Sequence, residues 1–370
     1  MTNSVHVYER VGGPSKRKSD TLTAHTPIQL DGLLAFPLTP FTHELDLDLD
    51  AFAETVEGHV AAGAGALFIA CGTGEFSALA ADEQAALLRR ARDVVAGRVP
   101  VWVGAGGGAA TARAGIAAAQ EGNADGVLLL PPYLVSGSPS GLVDHVRYAV
   151  NDSSVPVVVY HRSNGAFTPR SAVALLDIPS VAGLKDGVGD VELMTRIVTS
   201  IRSSHAPRAE DFLFFNGLPT AEVSARAYRA IGVSRYSSAV HCFAPEIAVR
   251  FHGALAAGDD HVVDALLAGF YLPLVALRDE TPGFAVSLVK AAARLRGDRV
   301  GGVRPPLVEP GAEQVERLKK IVKDGYALLT ALDAIDATQA AGATQAAGAT
   351  QAAGAANAAG AANALDGVRR

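Results

Sequence analysis

The chain has 370 residues, 49% hydrophobic and 19% charged, with a formal net charge of -6. That length and apolar content suit one large α/β barrel or two ordinary domains, and an acidic balance without a long basic run argues against nucleic acid or an anionic membrane as partner. Two cysteines, Cys71 and Cys242, make neither a disulfide framework nor a zinc ligand set, so the expected location is cytoplasmic.

Residues 1–29 are polar and mixed, without the apolar core of a signal peptide, and read as a flexible extension. No apolar stretch approaches the roughly 18 residues that span a bilayer, so no membrane is expected. From Leu30 onward the pattern alternates. A strand over 33–37 leaves through a proline-marked loop. Helical spacing over 49–62 is followed by a continuous apolar strand over 66–71. Asp82 is placed to cap a helix running to 96, before a strand over 99–103. Thr111 opens a helix to 121, then comes a strand over 126–130. Ser140 opens another helix, before a strand over 155–160. Thr168-Pro169 starts the next, and a strand ends on Lys185. Helix 190–201, strand 212–215, helix 219–231 and strand 233–239 complete the series.

Eight continuous apolar strands separated by helices imply a parallel sheet buried on both faces, and so a (β/α)8 TIM barrel over 30–258. The rival is a doubly wound dinucleotide-binding sheet. Its only support is Gly104-Ala105-Gly106-Gly107-Gly108-Ala109, a loose G-x-G-x-x-A match with no acidic residue closing the following strand. A C-terminal helical extension occupies 259–336, with helical stretches over 259–277, 283–295 and 312–335. From 337 to 370 the chain is a low-complexity Ala/Gly/Gln repeat, expected to be disordered.

In such a barrel the chemistry sits at the C-terminal strand ends. The lysine at the end of strand six stands out. The chain has 7 Lys against 25 Arg, and Lys185 is the only lysine between Lys18 and Lys290. Arginine stays protonated, whereas a desolvated lysine can lose its proton and attack a carbonyl. Asp186 follows it, and strand alternation should turn that carboxylate toward the helix layer. Gly72 and Gly74, flanking Thr73, let backbone amides approach a carboxylate. Tyr160 could relay protons over the barrel mouth. Arg162 could pair with a second carboxylate, and Ser237 and Ser238 are further candidates for holding it. His161, alternating with Tyr160, should point toward the helix layer. His241 and Cys242 follow strand eight without a cluster that would make a metal site.

Cys71-Gly72-Thr73-Gly74-Glu75-Phe76, Pro131-Pro132-Tyr133-Leu134, Gly183-Leu184-Lys185-Asp186-Gly187-Val188-Gly189-Asp190 and Asn216-Gly217-Leu218-Pro219-Thr220-Ala221-Glu222 together resemble the dihydrodipicolinate synthase / N-acetylneuraminate lyase family of class I Schiff-base aldolases and dehydratases. The resemblance covers about residues 30–332. It is nearer to the branch that dehydrates and decarboxylates a keto sugar diacid. Gly72 stands where the wider family has a relay threonine, and Leu134 where it often has a second tyrosine. His161 stands where that branch carries asparagine. The resemblance implies a small-molecule keto sugar acid as substrate, Lys185 as imine-forming nucleophile and Tyr160 as proton carrier. It implies no metal and no organic cofactor, and a homo-oligomer, tetramer or dimer. The alternatives are a 2-keto-3-deoxy sugar-acid aldolase on the same scaffold, and a non-catalytic keto-acid-binding homologue.

Overall fold

The computed structural model describes residues 28 and 30–366, with side chains through Gln339. Apart from Ile28, the extension expected over 1–29 lies outside the described residues. Eight parallel strands, β1 (Leu33–Ala35), β2 (Ala64–Ile69), β3 (Val101–Gly107), β4 (Gly126–Pro132), β5 (Val157–His161), β6 (Val181–Asp186), β7 (Leu213–Asn216) and β8 (Arg235–Ser238), close into a barrel in sequence order. β8 pairs back onto β1 through Leu34↔Ser237 and Ala35↔Ser238.

The strands are apolar on both faces because both faces are covered. Outward residues such as Leu67, Val127, Val157 and Leu184 pack under the helices. Inward residues fill the barrel with aromatic rings. Phe68 lies between Phe36 and Trp102, at centroid distances of 4.8 and 5.3 Å, with Phe215 edge-on at 6.3 Å. The interior is therefore a packed plug, and the open space lies above it.

Helices α1 (Leu49–Ala61), α2 (Ala81–Val95), α3 (Ala109–Glu121), α4 (Pro139–Val150), α5 (Pro169–Val173), α6 (Val191–Arg202), α7 (Ala225–Ala230) and α8 (Pro245–Ala257) form the outer ring. Their starts follow capping chemistry. Asp48, Ser138, Thr168 and Asp190 each accept from a backbone amide in the first turn. Asp82 is not a cap: α2 begins at Ala81, and Glu83 reaches back to accept from Ala80 N at 2.9 Å. Helix α7 is shorter than the expected 219–231 because Thr220 adopts a left-handed φ of 51° and Ala221–Ser224 form a 3-10 turn before it. Helix α8 went unread in the sequence although it carries helix signals. Pro245 and Glu246 sit in its first turn, Ile247, Phe251 and Leu255 recur every fourth residue, and Gly258 ends it with φ 75°.

After the barrel, α9 (Asp260–Leu266), a π-helical turn (Leu267–Tyr271) and α10 (Leu272–Arg278) form one continuous helical run. At 19 residues and a mean hydropathy of 1.5 it is long and apolar enough to cross a membrane, contrary to the sequence expectation. Its apolar side is spent instead on a second core. Leu266, Phe270, Tyr271, Leu274 and Leu277 pack with α8 and with α11 (Phe284–Arg296). Helix α12 (Ala312–Asp366) continues through the repeat that was expected to be disordered. Alanine is the strongest helix former, and several alanines separate the glycines, each costing about 1 kcal/mol.

Replacing the central ring of the plug, Phe68→Ala, should cost about 3–5 kcal/mol. The check is a fall in the urea midpoint at unchanged m-value.

Candidate active site

The pleat of β6 decides which way its last two residues face. Tyr160, Lys185 and Phe215 are register partners on β5, β6 and β7, so their side chains share the inner face. Lys185 is 5% exposed. Its Nζ stands 4.2 Å from the Tyr160 ring centroid and 4.8 Å from that of Phe36. Gly217 presses on it from β7. A Cβ there would come within 2.6 Å of Lys185 Cγ and 2.7 Å of Nζ, so no larger residue fits.

The next row faces outward. Asp186 accepts from Val188 N at 2.9 Å and Gly189 N at 3.4 Å, and it also accepts from the Tyr228 hydroxyl of α7. Burial and that bond push the Tyr228 hydroxyl above its usual range. His161 lies beside Asp186, with Nε2 3.8 Å from Oδ1, while its Nδ1 accepts from Phe167 N at 2.7 Å. Both residues thus face the helix layer, away from the amine.

Tyr160 donates its hydroxyl hydrogen to Gly217 O at 2.9 Å and accepts from Arg162 Nη1 at 3.1 Å. Burial alone would raise this phenol, but the charges of Lys185 and Arg162 outweigh it and hold the hydroxyl below its ordinary value. Gly187 leaves room for the ring, since a Cβ there would meet Tyr160 Cε2 at 2.7 Å.

Lys185, Tyr160, Arg162, Gly72, Thr73 and Ser237 line one cavity of about 240 Å³ at the barrel mouth. Among the described residues, the amides of Gly72 and Thr73 donate to no protein group outside regular structure. They are therefore free to meet an anion. Gly74 is not on the cavity. It is packed against the backbone of Pro37 and Ala70, and its carbonyl accepts from Thr39 Oγ1 at 2.7 Å, which braces the turn. Ser238 is not on the cavity either. It alternates with Ser237 and donates to buried Glu222 Oε1 at 2.6 Å. Burial raises the Glu222 carboxyl to about 7. His241 Nδ1 meets His59 Nδ1 at 2.7 Å.

The rest of the wall was read from the sequence only in the Gly217–Thr220 loop, which lies in one of the quoted motifs. Phe36 and the β7 loop from Gly217 to Thr220 form one side; Arg278 of α10 and Phe284, Leu288 and Val289 of α11 form another. That loop carried a signal as a Gly/Pro-marked motif directly after an apolar strand, whereas Phe36 and the α11 residues carried none. Arg278 reads in sequence as an ordinary cation ending a helix.

Residues 29–325 match the model of the dihydrodipicolinate synthetase family. The chain belongs to that family. A Streptomyces coelicolor relative with the name "Probable 5-dehydro-4-deoxyglucarate dehydratase 1" is 51% identical over 298 residues, covering 80% of this chain and 94% of the relative. A Rhizobium rhizogenes relative named "Probable 5-dehydro-4-deoxyglucarate dehydratase" is 40% identical over 297 residues, covering 80% and 96%. Among solved structures, a dihydrodipicolinate synthase from Bacillus clausii superposes with a TM-score of 0.73 at 25% identity, covering 80% of this chain and 97% of that one. An Escherichia coli K12 protein of the same family, in complex with pyruvate, gives 0.71 at 26% identity, covering 80% and 99%. In this dihydrodipicolinate synthetase family member the lysine, tyrosine and free amides converge on one cavity, over the packed barrel plug.

Two outcomes follow from the geometry. Gly217→Ala should displace the Lys185 amine and lower turnover by about 100-fold or more, with the circular dichroism spectrum unchanged. Glu222 holds its proton longer when folded than when unfolded. Stability should therefore fall as pH rises from the ordinary 4.5 through about 7. Glu222→Gln should flatten that slope in denaturation midpoints measured between pH 5 and pH 8.

Proposed function

We propose that this chain is a decarboxylating hydro-lyase that converts 5-dehydro-4-deoxyglucarate to 2,5-dioxopentanoate, carbon dioxide and water through an imine on Lys185. The observation that carries the reading is the amine of Lys185 in one cavity with the Tyr160 hydroxyl and the unpaired amides of Gly72 and Thr73. The names of the 51% and 40% identical relatives support the choice of substrate.

The residues divide the work as follows. The Gly72 and Thr73 amides, with the Thr73 hydroxyl, hold the carboxylate beside the ketone. Lys185 Nζ adds to the ketone carbon, and water leaves to give a protonated imine. The neighbouring CH2 loses a proton, and the enamine expels the β-hydroxyl as water after that oxygen is protonated. Tyr160 is the group placed to move these protons, since its hydroxyl is held by Gly217 O and Arg162 Nη1. The product is an iminium conjugated to the new double bond. The bond to the far carboxyl group then breaks, its electron pair flows into the iminium, and carbon dioxide departs. Protonation and hydrolysis release 2,5-dioxopentanoate and restore the amine. The imine is the only electron sink this sequence uses.

A cytoplasmic location fits two free, buried thiols, each raised to about 12 by burial. A homo-oligomer, dimer or tetramer, fits the run Tyr133, Leu134 and Val135, exposed at 72%, 79% and 65% after β4.

Carbon dioxide release from 5-dehydro-4-deoxyglucarate is the deciding assay. Lys185→Ala should abolish it while the fold is kept, and borohydride with substrate should leave an adduct mass on Lys185. An adduct elsewhere, or none beside normal turnover, would sink the imine route. Pyruvate release from a deoxy-keto-gluconate in place of carbon dioxide would make the enzyme an aldolase.

A further inference from the structure

Two arginines reach the cavity, Arg162 and Arg278, and they are differently employed. Arg162 Nη1 is committed to the Tyr160 hydroxyl, and its guanidinium carbon lies 5.7 Å from that ring centroid. It tunes and orients the proton carrier. Arg278 comes from outside the barrel, at the end of α10, with its side chain 18% exposed. Its Nη1 donates to Pro219 O at 2.9 Å and Thr220 Oγ1 at 2.8 Å, and its Nε donates to Asp279 Oδ1 at 2.8 Å. Among the described residues, its Nη2 has no protein acceptor. The side chain is thus fixed at two nitrogens and has the third, Nη2, to offer.

The loop that fixes Arg278 also touches the nucleophile. Gly217 packs on Lys185, and Thr220, three residues on, accepts from Arg278. Three residues of chain span at most about 11 Å. Thr220 holds a left-handed φ of 51°, a conformation a β-branched residue keeps only under external restraint. The Arg278 bond supplies part of that restraint. In the six-carbon diacid, the far carboxyl carbon lies four bonds from the ketone carbon, which suits a cation held one short loop from the imine. The other candidates are weaker. Ser237 is neutral, and Ser238 is spent on Glu222.

We infer that Arg278 binds the far carboxylate of the substrate, so that a helix outside the barrel selects diacids over keto acids lacking that group; this rests on the Schiff-base dehydratase reading. Arg278→Gln and Arg278→Lys are measured with 5-dehydro-4-deoxyglucarate for KM and kcat. Borohydride trapping of pyruvate on Lys185 is followed in parallel, because pyruvate has no far carboxylate. Arg278→Gln should raise KM for the diacid by about 30-fold or more, with Arg278→Lys in between. Pyruvate trapping should stay within about twofold of the unsubstituted protein. A diacid KM that moves less than about threefold overturns the inference and leaves the dehydratase reading standing. Equal losses in pyruvate trapping and diacid binding also overturn it, since the effect is then on the whole site. An unsubstituted protein that neither traps pyruvate nor releases carbon dioxide removes the dehydratase reading itself, and the inference with it.

Discussion

The pleat of one strand end governs this molecule. Lys185 and Asp186 are adjacent in sequence and carry opposite charges, yet alternation sends one into the cavity and the other into the helix layer. The carboxylate is then occupied by two loop amides and Tyr228, and it never quenches the amine. The neighbouring strands repeat the division. Tyr160 faces in while His161 faces out, and Phe215 faces in while Asn216 turns out to bind Ala221 O and the Ser224 hydroxyl. Each strand end sends one residue into the barrel and turns the next outward to its own support.

A second constraint ties the helical region to the barrel. Glu75 follows the amide-bearing turn with a left-handed φ of 56°, which sends its carboxylate away from the cavity. There Lys290 of α11 meets Oε1 at 2.6 Å, and Arg304 N donates to Oε2 at 2.9 Å. Lys290 also donates to Gly302 O at 2.6 Å, and Phe41 lies 4.2 Å from both the Lys290 and the Arg304 cation. Burial lowers the Lys290 ammonium below its ordinary value, and Glu75 opposes that shift. Such a pair adds little net stability, because desolvation consumes most of the Coulomb attraction. Its use here is positional: it locks α11, which walls the cavity, to the turn that offers the amides.

Much of this was legible in the sequence because period and chemistry coincide there. Eight apolar runs with intervening helical spacing give the barrel, and the one lysine between Lys18 and Lys290 in an arginine-rich chain marks the site. The outward turn of Asp186 and His161 follows from alternation. The same rule, applied to Ser237 and Ser238, would have kept only one of the pair. The place of Gly74 is hidden from the sequence for a different reason. In a glycine-rich turn, one glycine opens toward a ligand while another packs tightly on backbone, and spacing does not tell which. Arg278 and the α11 wall could not be read at all, since they reach the cavity through tertiary packing of a region some 90 residues past Lys185.

The position of Arg278 raises a tension within the chemistry. A cation that binds a carboxylate stabilises it more than it stabilises neutral carbon dioxide, so tight pairing opposes decarboxylation. A bidentate clamp on that group would favour binding at the expense of the step. Arg278 avoids this because Nη1 and Nε are already engaged, leaving only Nη2 for the substrate. One nitrogen is enough to select a diacid and to set the direction of its terminal bond. On the proposed imine route the driving force then comes from the iminium, whose positive charge is neutralised as the electron pair arrives. The apolar side chains of Phe284, Leu288 and Val289 next to the cavity strengthen that attraction by excluding water. On this view the barrel makes every substrate into an electron sink, and the helical region determines which substrate has a bond lined up to feed it.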